Sequence, residues 1–205
     1  MRVFRPGLLV SAAAWMLVSA SLSATTVMQL NLAQMVQRAN RIYRGTVVSV
    51  TPGTVDVGGG QLPVVTYHLE VQEVFRGDFP TVKGMRLAEI RTLGKIATVQ
   101  RGALRSSSAL PRMPEMRPGE TYLVFTTQPS AIGLSTTVGL GQGFFRIAQV
   151  GKDEMVVNDV NNSGLFRDMA PPSSARMSVQ RAADPAAGAL PYSELASRIQ
   201  ALVGR

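Results

Sequence analysis

The 205-residue sequence predicts an all-β domain: an antiparallel OB-like barrel with short flanking N- and C-terminal helices. Three observations carry this. Residues 64–75 (VVTYHLEVQEVF) put Val65, Tyr67, Leu69 and Val71 on one face and Thr66, His68, Glu70 and Gln72 on the other, the alternation of a strand with one dry and one wet side. Other β-rich runs follow, bounded by Gly, Pro and Asn turns, as in an antiparallel meander. Helical periodicity is confined to the two ends of the domain. About six strands closing into a barrel is the expected architecture, with an open β-sandwich as the alternative.

Residues 1–24 read as a bacterial-type export signal. Arg2 and Arg5 precede an uncharged run of apolar and small residues, 7–24 (GLLVSAAAWMLVSASLSA), in the order charged, apolar, cleavable. Ala20 and Ala24 are both acceptable cut sites. An uncleaved segment would anchor the domain in the membrane and still leave it on the outer side. The expected location is periplasmic or secreted.

Residues 25–169 form the expected barrel domain. Residues 27–39 predict a short amphipathic helix through Leu32, Met35, Val36 and Ala39, with Asn31 as its cap. A β-rich run over 41–51 meets a Pro52-Gly53 turn, then a flexible Gly58–Gly60 loop. After the strand at 64–75, Gly77-Asp78 and Pro80 make a turn, and Gly84–Ile90 begins the next strand. Over 92–119 the pattern lapses into Lys95, Arg101, Arg105, Arg112, Arg117 and three prolines. A structureless loop of that length is uncommon, so it reads as a long basic loop or an extended hairpin, with Ile96–Val99 as a candidate strand. Strands are expected again at 120–126, 144–150 and 155–158, the last two joined by a turn at Gly151–Asp153. Residues 170–188 have a Pro/Ala/Ser-rich linker composition. Residues 189–205 predict a C-terminal helix capped by Ser193, with a stripe of Leu195, Ile199 and Leu202 or Val203.

Composition narrows the chemistry. There are 21 Lys+Arg against 13 Asp+Glu, a net charge of +8 to which Arg2 and Arg5 contribute two. Such a charge favours acidic partners, and export sets nucleic acid aside. The absence of cysteine excludes disulfides, thiol nucleophiles and thiolate metal sites. His68 is the single histidine, so no multi-histidine metal centre can form, and its strand position reads as solvent-facing. HExxH, GxxxxGK[ST] and GxSxG patterns are missing. Gly139-x-Gly-x-Gly143 lacks the flanking strand, helix and acidic residue of a dinucleotide fingerprint and reads as tight turns. Glu70, Glu73, Asp153 and Glu154 offer no defined catalytic carboxylate pair. Asn161-Asn162-Ser163 fits a glycosylation pattern but reads as accidental beside a bacterial-type signal. Phe144-Phe145 should place one ring in the core and the other under the C-terminal helix or on the surface.

Arg101, Arg105, Arg112 and Arg117 are the candidate contact residues, suited to acidic groups on an envelope or secreted protein or on an anionic surface. No catalytic residue, metal or cofactor is expected, and membrane contact only if the signal is uncleaved. The expected function is that of a non-enzymatic binding or envelope-structural module. Regulation or inhibition of a secreted hydrolase through an exposed loop is the second reading.

Residues 32–39 (LAQMVQRA), 42–50 (IYRGTVVSV), 67–77 (YHLEVQEVFRG), 118–125 (PGETYLVF) and 141–147 (GQGFFRI) resemble a group of uncharacterised exported bacterial proteins. The R-G-x-V-x-x-V run (44–50) followed by a strand ending E-x-x-x-G (73–77) also resembles netrin-like domains, which are OB-type barrels. The resemblance implies that fold. One netrin-like branch, the tissue inhibitors of metalloproteinases, chelates a protease zinc through an N-terminal cysteine. With no cysteine here, that mechanism does not carry over, and fold alone does not assign function.

Overall fold

An eight-stranded antiparallel sheet organises most of the described residues, with one apolar cluster against one face and a second, closed by two helices, against the other. The structure is a computed structural model that describes residues 28–94, 99–101, 104–106, 115–169 and 188–204, with backbone alone for 99–101 and 104–106. The expected export signal and nearly all of the expected linker lie outside the described residues. The elements are α1 (Leu32–Arg38), β1 (Arg41–Val57), β2 (Gly60–Arg76), β3 (Thr81–Val82), β4 (Met85–Leu93), β5 (Val99–Arg101), β6 (Leu104–Ser106), β7 (Thr121–Thr126), a 3-10 turn (Leu140–Gly143), β8 (Phe144–Val150), β9 (Asp153–Asn158), β10 (Leu190–Pro191) and α2 (Tyr192–Val203). Among the described residues no helix is long and apolar enough to cross a membrane.

Eight strands pair in the order β10-β9-β8-β7-β1-β2-β4-β3, and β5 and β6 form a separate ribbon. The expected barrel is therefore not closed. Among the described residues, what lies beyond β4 is the two-residue β3 and one hydrogen bond from the Ser135 N–H to the Arg91 carbonyl at 2.8 Å. A single bond is contact between a loop and an edge, not a strand ladder.

β1 and β2 are each longer than expected. Pro52 does not turn the chain but pairs with Val65, and Pro63 pairs with Thr54. Proline fits a strand where its missing N–H points away from the partner; the Pro63 carbonyl points away from β1, toward the end of β4, and accepts the Gly94 N–H at 2.8 Å. The reversal comes at Gly58-Gly59, whose φ values of 47° and 101° suit a two-residue hairpin turn. The expected flexible loop is thus a tight turn. Three register shifts bend the pair near Tyr43, Gly45 and Ser49. A Cβ at Gly45 would lie 2.9 Å from the Glu70 carbonyl oxygen, so the close crossing requires glycine.

The alternation holds from Val65 to Val71 and breaks beyond it, where the register shifts turn Val74 to the inner cluster and Phe75 to the opposite face. Tyr67, Leu69 and Val71 join Tyr43, Val47, Ala88, Ile90, Met116, Tyr122, Val124 and Phe144 in the inner cluster. The opposite face carries Ile42, Leu123, Phe125, Phe145 and Val156, packed against Leu32, Met35 and Val36 of α1 and Leu195 and Ile199 of α2. Phe144 and Phe145 thus fill one core each, and the second lies in the cluster that α2 covers, as expected.

The seven residues of α1 are too few to be stable alone. Asn31 accepts the Gln34 N–H while the Gln34 side chain accepts that of Asn31, a capping box. Arg76 donates to the Val36 and Ala39 carbonyls at the other end. The helix begins only at Leu32 because the preceding residues are held extended. The Gln142 side chain accepts the Leu30 N–H at 2.7 Å and donates to the Met28 carbonyl at 3.0 Å, and Arg167 donates to the Gln29 carbonyl at 2.9 Å. α2 begins at Tyr192 with Pro191 as its cap, not Ser193; proline pre-sets the entry angle but contributes no capping oxygen.

Candidate functional site

Of the four arginines singled out in the sequence, Arg117 is the one whose side chain the structure describes. Arg112 lies outside the described residues. Arg101 and Arg105 belong to the β5–β6 ribbon, paired with Leu104 and Gln100 respectively, so the extended-hairpin reading of this segment holds at its centre. Of the expected strand at Ile96–Val99, only Val99 falls within the described residues.

Arg117 opens a turn that ends at Glu120, where the Glu120 N–H donates to the Arg117 carbonyl at 3.2 Å. Pro118 sets the entry, and Gly119 takes a φ of 81° that a side chain would strain. The turn is held to the sheet by backbone bonds from the Gly119 N–H to the Val47 carbonyl (2.8 Å) and from the Val47 N–H to the Glu120 carbonyl (3.0 Å). Met116, just before it, is buried in the inner cluster.

Two tyrosines complete the seat. The Tyr122 hydroxyl accepts the Arg117 N–H at 3.1 Å and donates to Oε2 of Glu120. Burial, reinforced by that carboxylate, pushes the Tyr122 hydroxyl up to about 12, so it stays protonated and donating at neutral pH. Burial likewise raises the Tyr67 hydroxyl, opposed by a hydrogen bond from the Met116 backbone. The Arg117 side chain projects from this seat 80 % exposed, with Nη1 3.7 Å from Oε1 of Glu120. That is a loose pair in high dielectric, worth about 0–1 kcal/mol.

A second arginine, absent from the sequence-based candidates, is bound differently. Arg44 forms two parallel bonds to Glu154, at 2.7 and 2.6 Å, and its guanidinium lies over the Tyr192 ring 4.8 Å from the centroid. Tyr192 in turn donates to Glu73 at 2.5 Å. The Arg44 hydrogen bond holds the Glu154 carboxyl below the usual carboxylate range, while burial raises the Tyr192 hydroxyl. This set joins β1, β2 and β9 to the start of α2. Glu154 was visible only as an acidic turn residue, because its partner is 110 positions away.

His68 lies half-buried on the outward face, as its parity predicts. Its Nδ1 is 3.2 Å from Oγ of Ser49 and its Nε2 3.8 Å from Oε2 of Glu89, which also receives Arg91 at 3.0 Å. These residues are direct cross-strand neighbours on β1, β2 and β4. The row contains a serine, a histidine and a carboxylate, but backbone N–H groups in a sheet lie in its plane and serve the ladder. Nothing in such a row aims two donors at an oxyanion above the face, which acyl transfer requires. Among the described residues no group of three or more His, Asp or Glu side chains is placed to hold a metal ion.

The glycine cluster serves a turn, as expected. Gly139 has a φ of 63°, and a Cβ on Gly143 would sit 2.4 Å from the Val138 carbonyl oxygen. Its Gln142 belongs to a buried network that the sequence did not reveal: Asn158 donates to the Gln142 carbonyl, Asn162 accepts the Asn158 N–H, and the Asn162 amide reaches the Val156 and Gly188 carbonyls.

No family model matches the chain, and none of the curated proteins is similar to it.

Proposed function

We propose that this protein is an exported, non-enzymatic binding module that takes an acidic protein partner at the Arg117 turn, with the basic stretch preceding it in the chain adding charge. The observation that carries the reading is the contrast within the turn. Its backbone is tied to β1 and Tyr122 by several hydrogen bonds, yet its guanidinium is 80 % exposed and only loosely paired. A rigid base lowers the entropy lost when a long cationic side chain is immobilised by a partner. Arginine then supplies a fork matched to carboxylates. Arg101, Arg105 and Arg112 add charge on the same stretch of chain.

The periplasmic or secreted location belongs to this proposal and rests on the N-terminal sequence pattern. So does kinship with OB-type, netrin-like domains. It is supported by the curved sheet around the inner cluster and by the Ser135–Arg91 bond at the edge of β4.

The test is capture from solubilised envelope and secreted fractions by the native protein and by a variant with Arg101, Arg105, Arg112 and Arg117 all changed to Ser. A stoichiometric acidic partner retained at raised salt by the native protein alone supports the proposal. Equal capture by both proteins rejects it.

A further inference from the structure

Glu120 sits beside Arg117 and competes with any acidic ligand for its guanidinium. One of its carboxylate oxygens takes the Tyr122 hydroxyl, while the other stays 3.7 Å from the Arg117 guanidinium. Both Arg117 and Glu120 lie on one four-residue turn, so closure into a bidentate pair needs only a side-chain rotation. The Tyr122 ring itself cannot move aside. It is 1 % exposed, stacked on Phe144 at 4.8 Å, and its oxygen is fixed by the Arg117 N–H.

We infer that Tyr122 is a positioning residue that tethers Glu120 away from Arg117, leaving the guanidinium available to an acidic peptide segment of a partner. The inference rests on the binding proposal above and deepens it by naming how the site is kept open. The groups facing the Tyr122 hydroxyl are Glu120 and the Arg117 N–H, with Arg146 on β8 acting through its charge. Arg146 is exposed and pairs across the strands with Tyr122. When Tyr122 loses its hydroxyl, Glu120 is released and closes on Arg117. An exposed pair of this kind is worth about 0.2–1 kcal/mol, which corresponds to roughly 1.4- to 5-fold in affinity.

The experiment is a double-mutant cycle read by fluorescence anisotropy with a labelled hexaglutamate peptide, on the full chain at low and near-physiological salt. Arg117→Gln should weaken binding. Tyr122→Phe should weaken it about threefold when Glu120 is present and leave it unchanged when Glu120→Gln is also present. A merely structural loss at Tyr122 would weaken binding equally in both backgrounds, and that result overturns the inference. If Tyr122→Phe does not fold, Glu120→Gln alone decides. With Glu120 already tethered, neutralising it tightens binding less than about twofold, whereas a tenfold gain shows that the carboxylate is not held back and overturns it too. No binding by the native protein, or no effect of Arg117→Gln, defeats the binding proposal itself. A clear Arg117 effect with no Tyr122 coupling defeats this inference alone.

Discussion

Two arginine–glutamate pairs in this molecule share their parts and differ in how the parts are wired. Around Arg44, the arginine and the tyrosine each have a carboxylate of their own: Glu154 takes the guanidinium and Glu73 takes the Tyr192 hydroxyl. Around Arg117, Glu120 must serve both Arg117 and Tyr122. The first arrangement is bidentate, stacked and 20 % exposed at the arginine; the second is single-contact and 80 % exposed. The comparison teaches that arginine count says little about availability. What matters is whether each donor has an acceptor to itself.

The largest expected effect separates the pairs by stability. Arg44→Ala removes a bidentate partner and a ring contact, leaving Glu154 and the Tyr192 face uncovered, and should cost about 2–3 kcal/mol in urea unfolding. Arg117→Ala should cost no more than about 0.5 kcal/mol, as for exposed positions without such contacts. Equal losses would erase the distinction.

Next in size is Tyr192→Phe, which leaves the Glu73 carboxylate without its phenol donor at the start of α2. A loss of about 1 kcal/mol is expected, together with faster amide exchange in the first turn of α2. An unchanged exchange pattern would show that packing of Leu195 and Ile199 alone fixes the helix.

A pH titration sharpens the contrast further. The folded-state pKa of Glu154 is depressed by Arg44, so its stabilising contribution is complete above the usual carboxylate range and is lost as pH falls through the folded value. Glu154 is about a third exposed, so screening keeps this contribution small. Acid unfolding of the native protein should therefore show a limb that Arg44→Gln lacks. Persistence of that limb in Arg44→Gln would assign it to another carboxylate.

Much of the strand content was legible because it is periodic and local. The parity of Tyr67, Leu69 and Val71 placed the inner face, and Asn31 was recognisable as a cap from its position before an amphipathic run. The turn at Pro52 was misread because proline at an outward-facing edge position looks the same in sequence as proline in a turn. Closure of the sheet could not be read at all: it depends on what meets the outer edge of β4, and that is set by residues more than 40 positions later. The candidate site was legible as charge only. Arg117 stood out as a basic residue in a proline-rich stretch, whereas Tyr122 read as one more strand aromatic and Glu120 as a strand end. Arg44 was missed because its partners come from the far end of the chain.

The clamp on Met28–Asn31 has a consequence for the order in which the molecule can be completed. Its partners, Gln142, Ser163 and Arg167, lie 112 to 138 residues downstream. At about 5–20 residues per second of synthesis, residues Met28–Asn31 wait on the order of ten seconds before anything exists to receive them. Through that interval α1 has no Leu165 carbonyl for its first N–H, and the outer core lacks the α2 half of its cover. The beginning of the fold is therefore among the last parts of it to be secured, and a chain emerging N-terminus first stays unlatched until nearly all of it has appeared.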